Sequence, residues 1–135
     1  MKKTLVCFVI GIATLTSIGL AQDEKDYSTW MKTVAATNGT LRKNIEAKMG
    51  DAAAADADKL AGIFKQVTAF WEKRGGADDA VAAAKKAATA AADISTAAKA
   101  GNWDQASGGV MTLGSTCGGC HMAHRERGAD GFKIK

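Results

Sequence analysis

Three features of this 135-residue chain predict an all-α fold, an antiparallel four-helix bundle. It contains no proline, the residue that most strongly interrupts helices. Alanine, the best intrinsic helix former, fills long stretches such as AVAAAKKAATAAAD. Apolar residues recur at steps of three and four in four segments separated by glycines, the spacing that draws one stripe along a helix. Four such segments with short connections pack antiparallel around one core.

The first segment carries Tyr27, Trp30, Met31, Val34, Asn38, Leu41 and Ile45, a stripe on a helix from about residue 25 to 48. Gly50 ends it, and Asp51 is placed to cap the second helix. There Leu60, Ile63, Phe64, Val67, Phe70 and Trp71 form the strongest stripe in the chain, closed by Arg74, Gly75 and Gly76. Asp78 or Asp79 begins the third helix, whose Val81, Ala84, Ala88, Ala91, Ile94 and Ala98 give a slim face suited to close packing. Gly101 stops it. Trp103, Ala106, Val110, Leu113, Cys117, Cys120 and His121 continue the rhythm in a fourth helix reaching about Gly128. The charged tail beyond is expected to be a solvated end.

The opening stretch MKKTLVCFVIGIATLTSIGLAQ has two lysines, an apolar run from Leu5, and small residues at Gly19 and Ala21. It reads as a signal peptide, residues 1–21, cleaved after Ala21. The run is too short and too interrupted by threonines and Ser17 for a membrane anchor. Cys7 lies deep in the apolar run, not at the cleavage point where a lipoprotein signal needs it. Residues 22–135 then form one domain, enough for a single core. Lys2 and Lys3 leave with the signal, so the formal net charge of +4 falls by two, which does not suggest a nucleic-acid binder.

Near the other end stands CGGCH, residues 117–121. Two residues between cysteines close too small a loop for a structural disulfide, so some other chemistry accounts for the pair. C-x-x-C-H is the attachment sequence for c-type haem. On a helix Cys117, Cys120 and His121 stand at i, i+3 and i+4 and share a face. Two thiols can therefore add to the two vinyl groups of one haem while the imidazole reaches its iron. A zinc site built from Cys117, Cys120, His121 and His124 would draw all its ligands from one short stretch, without the second distant pair that zinc modules use. A thioredoxin-type thiol pair would need a βαβ pattern, and no strand pattern is present.

Gly101, Gly108, Gly109, Gly114, Gly118 and Gly119 crowd the fourth segment. Each interior glycine costs a helix roughly 0.5–1 kcal/mol relative to alanine, and glycine also lets a backbone approach something flat and bulky. This composition fits either a helix that a cofactor helps to order or weak selection on a surface face.

The chain resembles the class II c-type cytochromes, the cytochrome c′ family with its low-spin, methionine-ligated relatives. The stretch AGNWDQASGGVMTLGSTCGGCHMAHR looks like that family's last connection and helix, and MKTVAATNG, residues 31–39, like part of its first helix. The resemblance implies a cytochrome c′-like four-helix bundle domain over residues 22–135. It implies one covalent haem c held by thioethers to Cys117 and Cys120, with His121 as the proximal iron ligand. In the family a first-helix residue eight positions before a glycine faces the iron from the other side, and counting back from Gly39 gives Met31. There a methionine ligates iron in low-spin members or merely packs in five-coordinate ones. Arg125 matches a haem propionate contact. Tyr27 departs from the pattern, standing where the family commonly has an arginine on a propionate, and His124 occupies a place often held by an aromatic ring.

Helix geometry narrows the choice of sixth ligand independently. Met122 points about 100° away from His121, and Met111 lies roughly 15 Å upstream on the same helix axis, so neither reaches the far side of a haem. Met49 sits near a helix end. Met31 is left, on the stripe and backed by Trp30 and Val34. The expected role is a periplasmic carrier of single electrons between redox proteins and not an enzyme, since no nucleophile, base and orienting group stand together outside the haem motif. The alternative is a five-coordinate protein that binds nitric oxide or carbon monoxide. Related bundles often form homodimers through their first two helices, and Phe70 or Trp71 is a candidate for exposure to such a partner. No membrane association is expected after signal cleavage.

Overall fold

Stripes of apolar residues become the inner faces of four helices: α1 (Leu15–Glu46), α2 (Gly50–Arg74), α3 (Asp78–Lys99) and α4 (Trp103–His124). The computed structural model describes residues 15–135, with side chains from residue 23 onward. The expected signal peptide falls mainly outside the described residues. Among those described, no helix is long and apolar enough to cross a membrane.

Contacts between the start of one helix and the end of its neighbour fix the antiparallel order. Asp23 and Glu24 of α1 pair with Lys73 and Arg74 of α2 at 2.6 and 2.7 Å. A Cβ added to Gly50, at the start of α2, would stand 3.0 Å from the carbonyl oxygen of Ala98 near the end of α3. Asp79 of α3 meets His124 of α4 at 2.8 Å. Each helix contributes one fully buried large side chain, Leu41, Leu60, Ile94 and Leu113, to the core.

The helix boundaries refine the sequence reading. Lys48 turns the chain with φ 55°, and α2 begins at Gly50 behind Met49, so Gly50 opens the second helix and Asp51 sits in its first turn without capping it. Gly50 is required there by the approach of α3. Asn102 caps α4, accepting a hydrogen bond from the Gln105 backbone N–H at 3.3 Å. Phe70 and Trp71 are both buried in the core, so the exposure considered for one of them is not found. Within α4, a Cβ on Gly109 would stand 2.5 Å from Ile94 Cγ1, so this glycine serves the close approach of α3.

The largest difference lies beyond α4, which ends at His124 and not near Gly128. The tail expected to be a solvated end folds instead into an antiparallel hairpin, β1 (Arg125–Gly128) and β2 (Gly131–Ile134). Glu126 faces Lys133 across the strands and pairs with it at 3.0 Å. Ile134 packs on the core, and the Lys135 backbone N–H donates to the His124 carbonyl at 3.0 Å.

Candidate haem site

At the end of the bundle away from the Leu41 layer, α1 and α4 part around a cavity of about 710 Å³. That is within the range of ordinary small-molecule and cofactor sites. Every helix supplies a wall. From α1 come Tyr27, Met31, Val34 and Asn38; from α2, Phe64 and Val67; from α3, Ala83, Ala84 and Ala87; from α4, Thr116, Cys117, Cys120 and His121. The slim face of α3 thus has a second use. Beyond packing, its alanines leave the width of the cavity.

Cys117 and Cys120 are free, half-buried thiols. Burial pushes the Cys117 thiol above its ordinary pKa, with the neighbouring Cys120 adding to the effect. Burial does the same for Cys120, helped by the negative charge of Asp79. Less thiolate means slower oxidation to a disulfide. His121 goes the other way, because burial and then the Arg125 guanidinium disfavour its charged form. A neutral imidazole keeps a lone pair available for a metal.

From α1, Met31 lines the same cavity. Met49, Met111 and Met122 are 53%, 72% and 78% exposed, so Met31 is the one methionine along this cavity among the described residues. One helical turn before it, Tyr27 packs at 4.6 Å from the Phe70 ring and 5.9 Å from that of Trp71, and burial raises its phenol above the ordinary pKa. His124 also lines the cavity, its ring 5.0 Å from Trp71 and its Nε2 on Asp79. Among the described residues no three His, Cys, Asp or Glu side chains converge as a metal-binding group.

Arg125 reaches the cavity as well, in a setting the sequence reading missed. Its guanidinium lies 4.0 Å from the centroid of the Phe132 ring, and Gly131, Phe132, Lys133 and Ile134 complete the wall beside it. The signal was available in the tail. An Asp-Gly pair, Asp130 and Gly131, stands before an alternation of Phe132, Lys133, Ile134 and Lys135.

The donor set suits a covalent haem. Two thiols and an imidazole whose charged form is disfavoured share one face of α4, and the same cavity is lined by apolar side chains, the Met31 thioether and the Arg125 guanidinium. A cytochrome c′ from Pararhodospirillum photometricum is 37% identical to the chain over 108 residues, covering 71% of this chain and 84% of the relative. No protein-family model matches, and no solved structure does. With that identity across most of both chains, and a four-helix bundle whose last helix carries C-x-x-C-H, the chain belongs to the cytochrome c′ family.

Proposed function

We propose that the chain is a haem c protein of the periplasm that passes single electrons between redox partners. Cys117 and Cys120 anchor the group through thioethers, His121 binds its iron from the α4 side, and Arg125 meets a propionate. The bound haem supplies a one-electron couple that no side chain of the chain offers. Met31 carries the choice of role, because it lines the same cavity as His121 from another helix while Met49, Met111 and Met122 are exposed. With a haem bound, Met31 ligation beside His121 would shut out outside ligands and would raise the reduction potential. Keeping the same pair in both oxidation states also keeps reorganisation on electron transfer small.

A second reading is favoured by the wall around Met31. Val34, Phe64 and Val67 form an apolar lining that would accept a small gas such as nitric oxide or carbon monoxide if Met31 packs without ligating. The absorption spectrum of the reduced holo-protein, taken before and after carbon monoxide and repeated with Met31→Ala, separates the two. A low-spin parent indifferent to the gas, with a high-spin and gas-binding variant, is the expected result. Ready carbon monoxide binding by the parent contradicts the carrier.

A further inference from the structure

Strand pairing sets Arg125 opposite Ile134, and Arg127 opposite Phe132. Alternation therefore puts Arg125, Arg127, Phe132 and Ile134 on one face of the hairpin, with Glu126 and Lys133 on the other. Three side chains of the first face, Arg125, Phe132 and Ile134, line the cavity. Phe132 is 57% exposed, so burial alone does not hold its ring in place. Two guanidiniums do, at 4.0 Å for Arg125 and 5.6 Å for Arg127. Anchors on its C-terminal side hold the strand that carries the ring: Ile134 packs on the core, and the Lys135 ammonium donates to the Met122 carbonyl at 3.0 Å.

Arg125 is the one arginine along the cavity among the described residues, and it follows directly on the last residue of α4. An arginine on the surface loses much rotamer freedom when it must hold a carboxylate, and a ring that already confines the guanidinium lowers that cost. We propose that Phe132 is a positioning residue, which holds the Arg125 guanidinium along the cavity lining as the receptor for a haem carboxylate, with the hairpin as its mount. This rests on the haem reading of the cavity. Glu24, Lys32, Asp130 and Lys133 also stand along the lining and set the background charge against which Arg125 acts.

The test is the reduction potential of the holo-protein in four forms: parent, Phe132→Leu, Arg125→Gln and the double variant. A cation held beside a haem carboxylate disfavours the more positive oxidised state, so loss of its position lowers the potential. Phe132→Leu should lower the potential in the parent background and change it little in the Arg125→Gln background, the signature of a residue that acts through another. Phe132→Tyr, which keeps the ring, should restore the parent value. No shift in Phe132→Leu, or an equal shift in both backgrounds, overturns the proposal while leaving the haem reading intact. A parent that acquires no haem overturns both.

Discussion

Asp79 and His124 illustrate how one contact can serve two ends of the molecule. Their 2.8 Å hydrogen bond ties the start of α3 to the end of α4, just past the haem motif, and it holds the Asp79 carboxyl below its ordinary pKa. A carboxylate depressed in the folded state contributes stability above its unfolded pKa of about 3.9 and loses it as pH falls through the folded value. Asp79→Asn should therefore make the protein less stable at about pH 6 by a small amount, since the carboxylate is exposed, and the gap to the parent should narrow below about pH 4. Urea unfolding of the holo-protein across that interval reads the effect, and a gap constant down to about pH 2 would assign it to something other than the ionised carboxylate. At the same scale, His121 could be named from sequence because C-x-x-C-H is local. Its lowered pKa could not, because it arises from burial and from where Arg125 falls after the helix ends.

Among the elements, the four helices were legible because each stripe is long and regular; the structure buries the α2 stripe fully, while Tyr27, Met31, Cys117 and Cys120 on the α1 and α4 stripes are only half-buried. Their ends were less so. Asp51 was a plausible cap, yet the chain turns at Lys48 and enters α2 through Met49 and Gly50, because the approach of Ala98 leaves no room for a side chain at residue 50. Charge masked the hairpin. In residues 125–135 the strand alternation is carried partly by arginine and lysine, which in isolation look like a solvated tail. The glycines of α4 also divide in a way that composition does not show. A Cβ on Gly108 meets nothing within 4 Å, whereas one on Gly109 collides with Ile94. Gly108→Ala should stabilise the protein by about 0.5–1 kcal/mol through helix propensity. Its neighbour Gly109→Ala should destabilise it by about 1–3 kcal/mol through overpacking against α3. Thermal unfolding of the two variants checks the pair, and equal effects would mean that α3 and α4 are not in close contact at Gly109.

For the whole molecule, the division of the bundle into a solid end and a hollow end determines what it can do. Leu41, Leu60, Ile94 and Leu113 close one end, while the other opens around Met31, Cys117, Cys120 and His121. Periodicity could not separate these ends, because Val34 and Leu41 read alike on a helical stripe although one lines the cavity and the other fills the core. What distinguished the hollow end in the sequence was chemistry: a thiol pair and an imidazole near the end of α4, and a methionine on the apolar stripe of α1. The central claim is that this hollow end holds one haem through two thioethers, and tryptic digestion of the denatured holo-protein tests it most directly. Cleavage after Lys99 and Arg125 releases residues 100–125 as one peptide that contains both cysteines and His121. The account predicts that the haem absorbance and the mass of one haem travel with this peptide. Absorbance that separates from it on denaturation, leaving two unmodified thiols at Cys117 and Cys120, would contradict the account.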